Sequence, residues 1–183
     1  DDLLRLAVVD DAALADVDMA ATLKLAGNLN CQTFNTSGAI TGANTTETDL
    51  AIYTMPAGAM DSSVSGVSNT SGVHVYAWGT TAANANNKTI RLKFDGTTLK
   101  SNTVTAAPNG LDWLIDLHLH RYDSTNQTGI VKMWVSTTDQ GTNVLSPTST
   151  LANAIIIKVT GQNGTASSGD ISLRGFCVDG LPN

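Results

Sequence analysis

Apolar and polar residues alternate along this chain in short runs, and clusters of Gly, Pro, Asn and Ser separate the runs. Alternation with a period of two marks a half-buried strand. From Gly27 onward it predicts strands over residues 28–34, 48–55, 73–78, 90–94, 97–104, 112–121, 129–136, 154–160 and 170–178. A weaker run over 144–151 contains Pro147, and residues 161–164, Gly-Gln-Asn-Gly, read as a loop. Asp95-Gly96 is a strong hairpin signal. In the longest run, Trp113, Ile115, Leu117 and Leu119 share one face and Asp116, His118 and His120 share the other. After Gly27 no apolar periodicity reaches helix length. Short strands at regular spacing predict an all-β chain, an antiparallel β-sandwich of jelly-roll type.

Residues 1–26 break this pattern. They contain neither Gly nor Pro, and Asp occurs at positions 1, 2, 10, 11, 16 and 18. Leu3, Leu4, Leu6, Val8 and Val9 precede Asp10, which can cap a short helix with Ala13, Leu14 and Val17 on one side. Such a helix is marginal alone. The segment therefore reads as a short N-terminal arm that needs another surface, its own domain or a neighbouring subunit, to cover its leucines. The alternative is the first strand and connection of the main fold. The expected organisation is an arm over 1–26 and one domain over 27–183.

Composition narrows the function classes. Charged residues are only 14% of the 183, well below the usual quarter, and Thr, Ser, Asn, Ala and Gly fill the gap. The net charge of -6 offers no counterion-release gain on nucleic acid. No apolar run approaches the roughly 18 residues of a membrane span. The acidic start, Asp1-Asp2, lacks the basic residues of a signal peptide. Cys31 and Cys177 match neither a disulfide framework nor a zinc spacing. They read as reduced packing residues, with a clamp between first and last strands as the alternative.

Few residues suggest chemistry. Asp116, His118 and His120 would project from one face of a strand about 7 Å apart per step. Imidazole and carboxylate suit zinc or nickel, so these are weak metal candidates; an exposed polar face is the plainer account. No Gly-x-Ser-x-Gly or His-Glu-x-x-His pattern occurs. The expectation is a protein without catalytic residues or cofactor. Trp113 falls on an apolar face and reads as core. Trp78 and Trp134 fall on mixed faces, where an indole can anchor a subunit interface or stack on a sugar.

The stretch 73–94 carries a more specific pattern. A strand ending in Ala77-Trp78-Gly79-Thr80 is followed by a small-residue loop, then Asn86-Asn87-Lys88-Thr89 and a strand ending at Phe94. This resembles a motif that recurs in bacteriophage virion proteins. The strand before Pro56-Ala57, the Trp113-initiated strand and Ile157-Lys158-Val159-Thr160-Gly161 resemble flanking parts of the same family, so the likeness covers roughly residues 49–178. It implies a jelly-roll module, often trimeric, on the virion surface, and it supplies no catalytic residues. No long repetitive shaft precedes the module. Two functions are expected from it. One is a capsid decoration or cement protein, or head fibre, that binds the major capsid protein as a homotrimer. The other is a tail-fibre tip module that recognises a host glycan. The expected interface combines Leu3, Leu4, Leu6, Val8, Val9, Leu14 and Val17 with Trp78 and Trp134.

Overall fold

The computed structural model describes residues 29–33, 39–60, 71–105 and 110–181, with backbone only for 29–33 and 39–40. The arm over 1–26, with Leu3, Leu4, Leu6, Val8, Val9, Leu14 and Val17, lies outside the described residues. The strands are β1 (Leu29–Thr33), β2 (Ala39–Ile40), β3 (Thr48–Met55), β4 (Gly72–Thr81), β5 (Lys88–Phe94), β6 (Thr97–Val104), β7 (Asp112–Arg121), β8 (Gln127–Val135), β9 (Thr138–Leu145), β10 (Ile155–Asn163) and β11 (Ile171–Leu181). Among the described residues there is no helix.

The strands form two antiparallel sheets packed as a β-sandwich. The larger runs β1-β11-β4-β7-β8-β9, with β2 also paired to β11, and the smaller runs β3-β10-β5-β6. Alternation places one side chain in two between them. Val73, Val75 and Ala77 of β4, Ile115, Leu117 and Leu119 of β7, and Val131 and Met133 of β8 face Ile90, Leu92 and Phe94 of β5 and Ile155, Ile157 and Val159 of β10; all are buried. Each large side chain so buried contributes about 1.5–3 kcal/mol. Trp113 is 2% exposed, as its place on the apolar face of β7 predicts.

The β5–β6 hairpin turns at Asp95 and Gly96, with φ of 48° and 80°. Positive φ at both positions is what a tight primed turn requires, and Asp-Gly tolerates it. The predicted strand over 144–151 is replaced by β9, which starts six residues earlier. Ser136, at φ 54°, reverses the chain at once, so β8 pairs directly with residues 138–145. That partner is an edge strand exposed on most of its length. Nothing imposes alternation on it, and its Asp, Gly and Asn are residues depleted in strands. The loop expected at 161–164 is also corrected in part, since β10 continues through Asn163. Gly161 has no Cβ to strike Thr41, Leu50 and Ile171, and the Asn163 amide, buried, donates to Gly42 O at 2.8 Å.

Cys31 and Cys177 also depart from expectation. Cys177 is disulfide-bonded, and Cys31, the only other cysteine of the chain, stands directly opposite it in the β1–β11 register. The reduced reading is overturned, and the alternative, a clamp between the first and last strands, is the one that the sheet topology bears out.

Two lysines face inward at the sandwich margins. Lys88 extends the apolar face of β5 by one step and is fully buried. Its ammonium donates to Asn84 O at 3.2 Å, Asn84 Oδ1 at 2.7 Å and Asn86 O at 2.7 Å. The amides of Asn84 and Asn86 in turn donate to the buried Asp170 carboxylate at 2.7 and 3.0 Å. Burial pushes the Asp170 carboxyl up, but hydrogen bonds from Asn84, Asn86 and Ser167 and the Lys88 charge outweigh it and hold it below the ordinary range. Burial likewise pushes Lys88 down, against the pull of Asp170. The Asn-rich loop of the 73–94 motif is thus the connection from β4 in one sheet to β5 in the other, fastened by its own lysine. Lys100 does the same at the open margin: its ammonium reaches from β6 to Gln140 O, Gly141 O and Asn143 Oδ1 of β9, each at 2.9 Å.

Candidate functional site

The outer face of the larger sheet carries the residues of interest. β4 lies between β11 and β7 and presents His74, Tyr76 and Trp78 outward, because its alternate residues fill the core. Register aligns these in rows across the sheet. Trp78 stands opposite Leu114 of β7, which stands opposite Trp134 of β8. Tyr76 stands opposite Asp116, and Asp116 opposite Lys132. His74 stands opposite Asp179 of β11 on one side and His118 of β7 on the other.

The Trp78 row forms a shallow cleft of about 370 Å³. Tyr76, Trp78, Leu114 and Trp134 supply its apolar surface, while Thr80, Asp112, Ser136 and Arg174 supply polar groups. Two strand spacings set the indoles about 10 Å apart. Tyr76 and Trp78 meet at a centroid distance of 5.5 Å and an angle of 51°. A half-buried aromatic floor with hydroxyl, carboxylate and guanidinium groups around it suits a ring-shaped, partly apolar ligand that stacks and both donates and accepts hydrogen bonds. The same face continues into Ile130 and Val144, paired across β8 and β9 and 41% and 82% exposed.

The His74 row forms a polar cluster beside the cleft. His74 Nε2 lies 2.9 Å from Asp116 Oδ1, and His118 Nε2 lies 3.3 Å from the same oxygen. The two imidazoles stack at 4.4 Å with 22° between their planes. On the far side, His74 Nδ1 is 3.9 Å from Asp179 Oδ2.

The structure therefore brings together Trp78 with Trp134, and Asp116 with His118. It does not bring His120 to that pair: His120 is exposed and stands opposite Gly72 and Thr128, one row further out. In its place stands His74, which is 42 residues from Asp116. Asp179, Leu114 and Arg174 were likewise missed. Spacing along one strand points only to i+2 neighbours, and those are about 7 Å apart, whereas the residue directly opposite on the next strand is nearer. No protein family model matches the chain, and no curated protein is found similar to it.

Proposed function

We propose that this protein is a non-enzymatic structural component of a bacteriophage particle, a jelly-roll module that binds the outer capsid as a symmetric oligomer, with a homotrimer as the expected state. The observation that carries the reading is the strand order. Set the β8–β9 hairpin aside and take β1 and β2 together as one interrupted edge strand, and eight strands remain. Numbered along the chain, they run first, eighth, third, sixth in the larger sheet and second, seventh, fourth, fifth in the smaller. That order is the one expected of a jelly roll, a double sheet built from two Greek keys. The stretch 73–94, which resembles the phage virion motif, spans the third and fourth of these strands and the loop between the sheets. A protein on a particle surface works by what it touches, and the outer face of the larger sheet offers exposed apolar side chains for that. The arm over 1–26 supplies further contacts.

Co-sedimentation with capsids of the virus that encodes the protein tests the reading. Full-length protein is expected to pellet saturably, in register with capsid symmetry. Protein lacking residues 1–26 is expected to stay a folded oligomer in light scattering and to remain in the supernatant. Failure of the full-length chain to bind overturns the capsid role, and saturation by the truncated chain overturns the role of the arm.

The Trp78–Trp134 cleft favours a second reading, a tail-fibre tip module that recognises a host surface glycan. Labelled protein binding to host cells, lost in Trp78→Ala and Trp134→Ala, would select it. Unchanged binding in both variants would remove it.

A further inference from the structure

We infer that His74, Asp116 and His118 form a site for one divalent transition-metal ion, of the zinc, nickel or copper class, on the outer face of the larger sheet. The site is separate from the aromatic cleft and does not depend on the capsid or glycan reading.

The geometry carries the inference. Two imidazole nitrogens converge on one carboxylate oxygen at 2.9 and 3.3 Å, and one ligand atom from each of the three residues lies within 4.8 Å of the others. Around a tetrahedral zinc ion, nitrogen and oxygen donors at about 2.0–2.1 Å stand roughly 3.3 Å apart. All three project from the outer face of two adjacent central strands, β4 and β7, with His74 and His118 directly paired and Asp116 one row along. Such strands are a rigid base for a ligand set.

The surroundings fit as well. His74 turns its other nitrogen toward Asp179 at 3.9 Å, an ion-pair distance and not a hydrogen bond; closing that gap gives the carboxylate–histidine arrangement that orients a metal-bound imidazole and raises its basicity. The ligand side chains are 28%, 30% and 45% exposed, so an ion has an open approach and keeps positions for water or a group from another molecule. Lys132, opposite Asp116 on β8, opposes an added cation; Asp179 on the other flank balances it. Nitrogen and oxygen donors of this kind favour zinc, nickel and copper over calcium or magnesium.

Titration of the untagged full-length chain with zinc, followed by calorimetry, tests the site, with cobalt absorption as a readout of ligand geometry. One ion per chain is expected, with affinity in the micromolar range or tighter. His74→Gln and His118→Gln should each weaken it more than the roughly 10- to 100-fold that loss of an orienting partner costs. Asp179→Asn should weaken it by about 10-fold, and His120→Gln should leave it unchanged. In the unaltered chain, zinc should shift the imidazole proton resonances of His74 and His118 but not those of His120, which keeps the test decisive if a variant misfolds. Absence of heat and of a cobalt band at millimolar metal overturns the inference. So does binding that survives both substitutions, or that is lost with His120→Gln while His74→Gln retains it.

Discussion

Gly175 of β11 lies directly beneath the indole of Trp78, so that a Cβ at position 175 would overlap the ring at Cζ2 and Cη2. The two residues are register partners across the β11–β4 pair. The missing side chain is what lets Trp78 lie down on the sheet and wall the cleft. Gly175→Ala is therefore expected to lift the indole away from the sheet. Overpacking of this kind costs about 1–3 kcal/mol. Red-shifted tryptophan emission with a lowered melting temperature, both absent in a Trp78→Ala, Gly175→Ala double variant compared with Trp78→Ala alone, would verify the relationship.

The lysine that fastens β6 to β9 gives a local prediction. Lys100 is 5% exposed, and its three oxygen acceptors all belong to β9. Hydrogen bonds from a charged donor contribute about 1.5–3 kcal/mol. Lys100→Met keeps most of the apolar stem and removes the ammonium. Amide exchange is expected to accelerate across Thr138–Leu145 and to stay unchanged in β10 and β3. Uniform acceleration through the whole sandwich would show that the contact supports the global fold instead of the one edge.

Acid should destabilise the protein through three carboxyls. Asp123 accepts hydrogen bonds from the backbone N–H groups of Thr125 and Asn126 and from the Asn126 amide, which lower it to about 2. Burial pushes Asp170 up, but the hydrogen bonds from Asn84, Asn86 and Ser167 and the Lys88 charge hold it low. Burial pushes Glu47 up, but Lys93, Thr160 and the Arg91 charge bring it below its ordinary value. In the unfolded chain these groups take up protons near about pH 4. The unfolded state thus binds more protons between that point and the folded values, and stability falls as pH drops through this window. Denaturation curves from pH 5 to pH 2 should show the loss. Asp123→Asn and Glu47→Gln should each flatten it, and a slope unchanged in both would refute the assignment.

The disulfide at Cys177 ties the last strand to the strand beside it. Disulfides typically contribute about 2–4 kcal/mol, and loop-closure entropy for a loop this long sets an upper figure of about 5 kcal/mol, so a loss of roughly 2–5 kcal/mol is expected here. Cys177→Ser, or reduction of the unaltered chain, should lower the denaturation midpoint accordingly and expose β1 to proteolysis first. β1 sits at the sheet edge with β11 as its strand partner. An unchanged midpoint after complete reduction would contradict this.

Much of the framework was legible in the sequence. Thr48–Met55, Thr97–Val104 and Asp112–Arg121 occupy the spans the alternation predicts, because each has one face in the core and one outside it. Trp113 belonged to the core and Trp78 and Trp134 to the outer face for the same reason. β9 was misplaced because an edge strand exposed along most of its length puts no pattern into its residues. Lys88 and Lys100 were invisible as interior residues, since a charge is buried only when oxygens from distant segments surround it.

Local periodicity is thus what the sequence by itself determined: which runs are strands, where they turn, and which side chains share a face. Pairing belonged to the tertiary structure. His74 meets Asp116 and His118, Trp78 faces Trp134 across Leu114, and Cys31 stands opposite Cys177 only because β4, β7, β8, β11 and β1 are neighbours in one sheet. A strand's alternation records that it is covered on one side. It does not record by which strand, since any apolar face buries equally well against another, and only the whole set of strands packing at once selects the partners.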